Sequence, residues 1–281
     1  MQYVFYDDFK PGVLRDGKVY DLAAFLGPAG ERGGRAIVEA IIARNGEIAS
    51  SGKAFAGGGK DVGSVRLREP VPDPRHIVCA ARNYKDEREA PAANFFLKGT
   101  ATLVGNGDTC VMPPVDVRTF HAEPELAVVI GKEAYNVSAA DAMAHVFGYT
   151  CFLDVSARGV ASGYYMHKSY ATFGPLGPAI VTADEVPDPH ELRVQLWVND
   201  IKRQDFSTSQ MANDIPRLIE AASSVHPLMP GDVLATGTHH TDLYPVADGD
   251  TVTVEIEKVG RLSVKIRDDR KRRWPEDAKK D

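Results

Sequence analysis

The stretch His121-Ala-Glu-Pro-Glu-Leu-Ala-Val-Val-Ile130 places two glutamates, Glu123 and Glu125, directly before a run of apolar residues. Side chains alternate between the two faces of a β-strand, so in a strand both carboxylates project from one face. Such a face is costly unless a cation lies between the two anions. A third acid, Asp154, follows 29 residues after Glu125 inside the apolar run Phe152-Leu-Asp-Val155. Three carboxylates from two segments predict an oxygen-lined pocket for a divalent cation, and hence a metal-dependent enzyme.

The spacing of these acids alone leaves an alternative open. The pattern Glu-x-Glu is common, and a solvated strand face with one acid downstream would have the same spacing. The apolar neighbours favour burial, because a carboxylate flanked by apolar residues on both sides is rarely unpaired. We therefore interpret Glu123, Glu125 and Asp154 as candidate metal ligands. Mg²⁺ or Mn²⁺ is the expected cation, and Ca²⁺ is a further candidate.

The composition is that of an ordinary globular protein. The chain has 281 residues, 43% of them hydrophobic and 26% charged, which is sufficient for one large core or two domains. The net charge of −6 argues against nucleic acid or an anionic membrane as the main partner. No apolar run reaches the length of a membrane span, and the N-terminus lacks the pattern of a signal peptide. The three cysteines lie in apolar surroundings and suggest a reducing environment, so we expect a cytoplasmic protein.

Three regions follow one another along the chain. Residues 1–70 are rich in glycine and predict a small N-terminal domain, with a hairpin turn at Asp16-Gly17-Lys18 and a short helix over 35–43. The segment 70–74, Pro-Val-Pro-Asp-Pro, is stiff and poor in hydrogen-bond donors, so it is a natural boundary. Residues 71–267 are predicted to form a catalytic domain, followed by a charged C-terminal tail over 268–281.

Beyond residue 70 the pattern is mostly that of β-strands. β-Branched or alternating runs bounded by Gly, Pro, Asn or Asp predict strands over 77–80, 126–130, 179–181, 194–198 and 252–256. Asn199-Asp200 separates two such runs, 192–198 and 201–206, and predicts a hairpin. Two helices are expected. One runs from Ser138 to about residue 146, where Ser138-Ala-Ala-Asp141 resembles a capping box, and one covers about 215–224 with Pro216 in its first turn. The predicted fold class is therefore mainly β, of the α+β type, with a few short helices.

Two further segments carry groups suited to binding anions. Lys168 and Thr172 precede a Gly/Pro loop, and near a metal the lysine would offer a positive charge to a carboxylate or enolate oxygen. The segment Thr236-Gly-Thr238 ends a predicted strand, where backbone N–H groups and hydroxyls commonly hold an anionic group. The alternatives are a surface lysine before a turn and a plain turn. Nucleophilic catalysis has little support, since no Gly-x-Ser-x-Gly motif is present and no cysteine has an electropositive setting.

Together these segments resemble the fumarylacetoacetate hydrolase family over about residues 70–265. The matching segments occur in the family's order, and they are Arg82-Asn-Tyr84, Phe95-Phe-Leu-Lys98, Glu123-x-Glu125 with its apolar run to Gly131, Val146-Phe-Gly-Tyr-Thr150, Asp154-Val-Ser-Ala-Arg158, Lys168-Ser-x-x-Thr172 with Gly177-Pro178, Leu196-Trp-Val-Asn199, and Pro230-Gly-Asp232 leading to Thr236-Gly-Thr238. The resemblance implies a rolled, mostly antiparallel β-sandwich, usually a homodimer, with one divalent cation.

The resemblance also implies roles for individual side chains. Glu123, Glu125 and Asp154 would hold the metal, and Lys168 would be a catalytic residue that stabilises an enolate. Substrate-binding roles are implied for six residues, which are Arg82, Tyr84, Lys98, Arg158, Thr172 and Thr238. The reaction typical of the family cleaves a C–C bond in a 1,3-diketone or acylpyruvate acid, with a metal-proximal water attacking one carbonyl.

Three departures from the family pattern concern the site. Glu87 occupies the place where many members have a lid histidine that serves as general base. Arg158 is followed by Gly159-Val-Ala161, without a polar residue that is often found there. Thr238 is followed by His239-His240-Thr241 in place of the usual Pro and Gly.

The catalytic base therefore has several candidates. Glu87 is first, with Glu89 as the near alternative and His121 third. His121 would share the ligand face of its strand, so it could instead orient a carboxylate or be a plain core histidine. His239 and His240 are further candidates, for which an exposed loop pair is the alternative.

From these residues we predict a metal-dependent hydrolase that cleaves a C–C bond in an acylpyruvate or other β-diketo acid, in a catabolic role. The same fold and metal could instead support decarboxylation, isomerisation, hydration or dehydration of a 2-keto acid. A catalytically inactive metal-binding homologue is a second alternative. The expected partner is a small keto acid, with neither nucleic acid nor membrane involved.

Overall fold

The structure is a computed structural model that describes residues 1–31, 33–55, 57–85, 92–160 and 163–275. Within these residues the strands are β1 (Gln2–Tyr6), β2 (Lys10–Arg15), β3 (Lys18–Asp21), β4 (Lys60–Asp61), β5 (Leu67–Arg68), β6 (Ile77–Ala80), β7 (Phe95–Lys98), β8 (Leu103–Val104), β9 (Thr109–Val111), β10 (Thr119–Ile130), β11 (Val146–Arg158), β12 (Gly174–Thr182), β13 (Arg193–Val198), β14 (Ile201–Ser207), β15 (Val233–Ala235), β16 (Thr251–Ile256) and β17 (Gly260–Arg267). The α-helices are α1 (Ala23–Leu26), α2 (Gly34–Ala43), α3 (Asn45–Ser50), α4 (Ala139–Ala142), α5 (Tyr164–Lys168) and α6 (Ile215–Ser223).

The strands form two mixed sheets. The larger sheet has the order β4-β3-β2-β1-β12-β11-β10-β15-β6-β7, with β5 paired to β1 and β8 paired to β12. The smaller sheet has the order β14-β13-β16-β17-β9. Most neighbours are antiparallel, and the parallel pairs are β15 with β6, β12 with β8, and β17 with β9. The predicted fold class, mainly β with a few short helices, is confirmed.

The two longest strands, β10 and β11, pair at the centre of the molecule. Every residue of β10 is buried, and the apolar side chains of its second half alternate between two hydrophobic cores. Leu126 and Val128 belong to the core shared by the two sheets, whereas Ala127 and Val129 belong to the core shared with α2. Burying a side chain such as Leu126 stabilises the fold by about 1.5–3 kcal/mol. A slip of one residue would exchange the two sets of side chains, so the register is strongly specified.

Residues 1–70 are joined to the rest of the chain by the larger sheet. β1 pairs with β12, with Gln2 opposite Val181. The predicted turn between β2 and β3 is present, and Asp16 and Gly17 have φ angles of +50° and +73°. Such left-handed angles are favourable for glycine and tolerated by aspartate, which explains this pair of residues. The division into domains at residue 70 stays a prediction, because the hydrogen bonding of the sheet continues across it.

Two of the predicted helices form as expected and one does not. α2 covers the predicted range 35–43, and α6 begins with Pro216 in its first turn and Asp214 capping the N–H of Arg217. The helix predicted from Ser138 to about residue 146 is wrong in length, since α4 ends at Ala142 and a 3₁₀ turn leads into β11. The Ser138 hydroxyl donates to the Asp141 carboxylate at 2.7 Å and caps no backbone N–H. The aromatic and β-branched residues from Val146 onward favour the long strand instead.

The predicted strands also form, and several are longer than expected. β10 extends the predicted strand 126–130 back to Thr119, because it pairs with β11 along its whole length. The hairpin at Asn199-Asp200 is confirmed by the pairing of β13 with β14. Among the described residues, every helix is too short or too polar to cross a bilayer. Cys79, Cys110 and Cys151 are buried free thiols.

Candidate active site

Three buried carboxylates converge where β10 and β11 pair. Glu123 and Glu125 lie on one face of β10, and Asp154 on β11 lies opposite Glu123 in the pairing register. One oxygen from each carboxylate lies within 4.8 Å of the other two. The three residues are only 3%, 2% and 1% exposed, so the alternative of a solvated strand face is wrong. Strand alternation and register together bring these acids to one point.

Three cationic side chains surround the carboxylates. The Lys168 ammonium, at the end of α5, donates to Glu123 at 2.8 Å and to Asp154 at 2.5 Å. The Lys98 ammonium, at the end of β7, donates to Asp154 at 2.6 Å, and the Arg158 guanidinium donates to Glu123. Both lysines are at most 4% exposed. Three carboxylates and three cations therefore balance in formal charge in a site withdrawn from water.

The charges are not balanced evenly within this site. Burial alone would raise the pKa of Glu123, but the charges of Lys168 and Arg158 outweigh burial and hold that pKa below its usual range. Glu125 forms no ion pair with a described residue, and it accepts a hydrogen bond from the Gly237 N–H at 2.8 Å. Burial and the two neighbouring carboxylates raise the pKa of Glu125 well above its usual range. Glu125 is thus the acid that most lacks a cation.

The donor set suits a hard divalent cation. All three candidate ligands supply carboxylate oxygens, which Mg²⁺, Mn²⁺ and Ca²⁺ prefer over softer ligands. A divalent ion would also supply the positive charge that Glu125 lacks. The residues present therefore fit such an ion.

His121 and Ser156 lie on the same face and contact the carboxylate cluster from one side. His121 is 1% exposed, and its Nδ1 lies 3.4 Å from the Nε of Arg158. Ser156 lies opposite His121 in the register and donates to Glu123 at 3.1 Å. The expected position of His121 on the ligand face is therefore observed. Ser156 was not predicted, although its place two residues after Asp154 was an available signal.

The loop after β15 forms the opposite side of the site, and Asn83 holds this loop in place. Its side-chain amide donates to the carbonyl oxygens of Thr236 and Asn213, both at 2.9 Å. Gly237 has a φ angle of +87°, and a Cβ there would lie 3.1 Å from the Asn83 Cβ. Glycine accommodates both the angle and the close approach, which directs the Gly237 N–H to Glu125. The sequence assigned no role to Asn83, because this role depends on contacts between distant segments.

The same loop carries Thr238 and His240 towards the carboxylates. Thr238 is 1% exposed, and its hydroxyl has no hydrogen-bond partner in the described part of the chain. A buried hydroxyl without a partner is costly, which is consistent with a ligand contact at this point. His240 is exposed at the edge of the site. Protein atoms packed around it lower its pKa, the charge of Glu123 opposes this effect, and Arg158 and Arg82 add to it.

Other predicted site residues make different contacts or lie outside the description. Tyr84 is buried, with its ring centroid 5.0 Å from that of Phe206. The Thr172 hydroxyl accepts a hydrogen bond from the Val111 N–H at 2.8 Å, outside the hydrogen-bond network of the carboxylates. Glu87, Glu89 and Ala161 are not among the described residues.

The matches to known families and sequences include the segments that form this site. The model of the fumarylacetoacetate (FAA) hydrolase C-terminal domain matches residues 75–267. Oxaloacetate tautomerase FAHD2A, a mitochondrial protein of Bos taurus, is 38% identical over 219 residues, which cover 72% of this chain and 69% of that protein. Maleylpyruvate hydrolase of Aquipseudomonas alcaligenes is 35% identical over 221 residues, covering 72% of this chain and 76% of that protein.

Comparison with solved structures extends the likeness to nearly the whole chain. The crystal structure of maleylpyruvate hydrolase from Sphingobium sp. SYK-6, in complex with a manganese(II) ion and pyruvate, superposes with a TM-score of 0.87 at 36% identity. The match covers 95% of this chain and 99% of that chain.

Proposed function

The chain belongs to the fumarylacetoacetate hydrolase family, and on that premise we propose that it is a divalent-metal-dependent enzyme that hydrolyses an acylpyruvate. The observation that carries the proposal is the buried cluster of Glu123, Glu125 and Asp154, with Lys168 held against two of its members. Charged groups withdrawn from water to this extent are costly, so they are typical of a site that performs chemistry.

The proposed ligands of the cation are Glu123, Glu125 and Asp154. When bound, the ion would polarise the oxygens of a 2-oxo acid and lower the pKa of nearby water. Mg²⁺ and Mn²⁺ both suit the carboxylate donors, and manganese is the ion named for the Sphingobium relative.

Lys168 supplies a fixed positive charge next to the reacting carbons. Burial would lower the pKa of this lysine, but the charges of Asp154 and Glu123 raise it above its usual range. The ammonium therefore stays protonated and stabilises negative charge that develops on an enolate oxygen. Lys98 donates to the backbone oxygen of Lys168 and to the side-chain carboxylate of Asp154, so it fixes the position of both.

The charge of the site favours an anionic substrate with more than one carboxylate. The three carboxylates are balanced by Lys98, Lys168 and Arg158, so a divalent ion would leave about two positive charges in excess. Arg82 and His240 lie at the margin of this positive region. An acylpyruvate whose acyl group ends in a carboxylate matches this charge, with the buried Thr238 hydroxyl as a further donor.

In the proposed hydrolysis of an acylpyruvate, one water molecule is consumed and one C–C bond is cleaved. The oxygen of water bonds to the acyl carbonyl carbon, and the C–C bond between that carbon and the adjacent methylene breaks. The electron pair of the broken bond forms the enolate of pyruvate, which then takes up a proton. The acyl group leaves as a carboxylate. The chain's own residues orient the two oxo groups, stabilise the enolate and accept the proton from water.

The candidates for the base that accepts this proton lie in two regions of the chain. His121 lies on the ligand face within 3.4 Å of Arg158, close to the carboxylates. Glu87 and Glu89 lie outside the described residues and stay candidates from the sequence. Changing Glu87 to Gln and His121 to Gln separately distinguishes them, since loss of a general base lowers turnover by about a hundredfold or more.

Oxaloacetate tautomerisation is a second candidate, because a relative at 38% identity is an oxaloacetate tautomerase. Oxaloacetate is a 2-oxo acid with a second carboxylate, so it matches the same charge. Its enol and keto forms differ by the place of one proton, and the fixed ammonium of Lys168 would stabilise the shared enolate. No C–C bond breaks in this reaction.

The experiment uses purified protein loaded with Mg²⁺ or Mn²⁺, with maleylpyruvate and enol-oxaloacetate as substrates. Release of pyruvate and maleate from maleylpyruvate supports the hydrolase. Faster ketonisation of oxaloacetate without C–C cleavage supports the tautomerase instead. Lys202→Ala is a matched control for Lys168→Ala, because Lys202 also contacts a carboxylate but lies on the outer strand β14. Absence of both reactions at catalytic rates contradicts the proposed function.

A further inference from the structure

A cavity of about 180 Å³ lies apart from the carboxylate cluster. It opens between the β13–β14 turn, the segment 244–247 and the chain after β17. Its principal lining residues are Asn199, Arg203, Tyr244, Asp250, Arg273 and Trp274. The proposed metal ligands and the lysines near them are not part of its lining. The cavity is therefore a separate feature from the proposed catalytic site.

The cavity carries positive charge that its own acid does not neutralise. Arg203 and Arg273 form no ion pair within the described part of the chain. The Asp250 carboxylate accepts hydrogen bonds from two neutral donors, the Asn199 amide at 3.1 Å and the Ala247 N–H at 2.8 Å. Two guanidinium groups and one carboxylate leave one positive charge in excess, although the whole chain has a net charge of −6. Guanidinium groups without carboxylate partners are well suited to bind an oxyanion.

Asp248, which lies in sequence between the lining residues Ala247 and Asp250, is already paired. Asp248 accepts a hydrogen bond from Lys271 at 2.8 Å and from the N–H of Asp268 at 2.9 Å. Arg273 reaches the backbone oxygen of Asp248 at 2.8 Å through one Nη. That contact orients the guanidinium and leaves its other donors for a ligand.

Aromatic rings fix the shape of the cavity. The guanidinium carbon of Arg203 lies 3.6 Å from the ring centroid of Tyr244, in stacking contact. The Trp274 indole N–H donates to the Val246 oxygen at 2.9 Å, so the ring is held in place. A preorganised arginine loses less side-chain entropy on binding than a mobile one. The volume is below the 300–1,000 Å³ of typical drug-sized sites, which limits the ligand to a small molecule.

We propose that this cavity is a second ligand site, which binds a small molecule through a carboxylate or phosphate group. Two contacts connect the walls of the cavity to the proposed catalytic site. Pro245 bridges to His121 on β10, and Gln204, next to Arg203, donates to the His239 oxygen at 2.8 Å. Arg203 is therefore next in sequence to a residue that holds the segment between Thr238 and His240.

Tryptophan fluorescence gives a local readout of binding. The chain has two tryptophans, Trp197 and Trp274, and Trp274 lines the cavity. A Trp197→Phe protein, loaded with Mg²⁺, is titrated with inorganic phosphate and, separately, with succinate at constant ionic strength. The titrations are repeated with EDTA in place of Mg²⁺. We expect a saturable change with at least one probe, and the same Kd within about twofold in EDTA, because the cavity contains no proposed metal ligand.

Substitutions of the two arginines test whether the probes bind in the cavity. In the same background, Arg203→Gln and Arg273→Gln should each weaken binding at least about tenfold, since each removes a charged donor. Arg273 is exposed, so its variant tests the site even if Arg203→Gln fails to fold. Arg261→Gln is the matched control, because Arg261 is not part of the cavity lining and pairs with Glu255 on the neighbouring strand.

The two probes also identify the group that is bound. Saturation by phosphate alone assigns a phosphate ligand, saturation by succinate alone assigns a carboxylate ligand, and saturation by both assigns a general oxyanion site. Absence of a saturable change with either probe overturns the proposal. An unchanged Kd in both arginine variants, or a Kd that depends on Mg²⁺, overturns it as well.

Discussion

Ionic groups cluster in two regions of the molecule that differ in burial. On β10 and β11, Glu123 and Asp154 meet Lys168, and each of these residues is at most 4% exposed. On the outer strands β13 and β14, Asp205 accepts from Arg193 at 2.7 and 2.6 Å, but the Arg193 side chain is 59% exposed. An exposed pair contributes little stability because water competes for both charges, whereas a buried group of charges is costly to assemble. The buried cluster is therefore better explained by chemistry than by stability.

The largest expected difference between the regions concerns stability after one charge is removed. In protein freed of metal by EDTA, Glu123→Gln removes one carboxylate partner from Lys168 and from Arg158 in a buried site, and Lys168 keeps Asp154 as a partner. We expect the free energy of unfolding to fall by roughly 3 to 5 kcal/mol, the scale for breaking a buried ion pair. Urea unfolding of both proteins measures this difference. A loss below about 1 kcal/mol would mean that the buried cluster behaves like a surface pair.

The second difference concerns catalysis by two lysines that both contact carboxylates. Lys168→Ala should lower kcat by about one to three decades, because it removes a preorganised charge. Lys202→Ala on the exposed cluster should leave kcat unchanged, since Lys202 contacts Asp205 only at the surface. Metal content, measured by elemental analysis, should stay at the wild-type level in both variants. Loss of metal from Lys168→Ala, or equal kcat in the two variants, would contradict the role of Lys168.

A third difference is the sign of the pH dependence, which begins with Glu125. Burial and neighbouring carboxylates raise the pKa of Glu125 in the metal-free fold. A raised pKa contributes stability that is fully present below the unfolded value and is lost as pH rises through the folded value. In EDTA, Glu125→Gln should therefore become more stable relative to wild type as pH rises from about 5 to 8. Unfolding curves across this range test the trend, and a constant difference would refute it.

The exposed cluster should show the opposite sign and the smallest effect. Hydrogen bonds from Arg193, Lys202 and Gln195 hold the pKa of Asp205 below its usual range, although partial burial opposes them. A lowered pKa contributes stability above the unfolded value, which is lost as pH falls. Asp205→Asn should cost at most about 1 kcal/mol near neutral pH, and less at high salt. Thermal unfolding at two salt concentrations checks this, and a cost that salt does not reduce would show a buried interaction.

The sequence predicted the buried region better than it predicted the loops around it. Period-2 alternation and apolar flanks are local signals, so the convergence of Glu123, Glu125 and Asp154 could be anticipated from β10 and β11. The helix predicted after Ser138 was wrong in length because a local capping pattern competed with long-range strand pairing. Asn83 was missed because its partners are 130 and 153 residues away.

The roles of side chains around the three carboxylates could be anticipated only in part. Lys98 and Arg158 contact the carboxylates, and the substrate-binding role that the resemblance implied for both stays a prediction. The Thr172 hydroxyl accepts a hydrogen bond from Val111 of β9, a contact that the sequence did not predict, and its implied role in substrate binding stays a prediction. Three expectations stay predictions. They are that Glu87 is the general base, that the protein is cytoplasmic and that it forms a homodimer.

The most direct test of the central claim is the binding of Mn²⁺ measured by titration calorimetry. We predict one Mn²⁺ per chain, with affinity lowered at least about a hundredfold in Glu125→Gln, since losing a ligand should exceed the 10–100-fold cost of losing its outer partners. Asp205→Asn should bind as wild type does, because Asp205 lies on the outer sheet. Equal stoichiometry and affinity in Glu125→Gln and wild type would contradict the claim that these three carboxylates hold the metal.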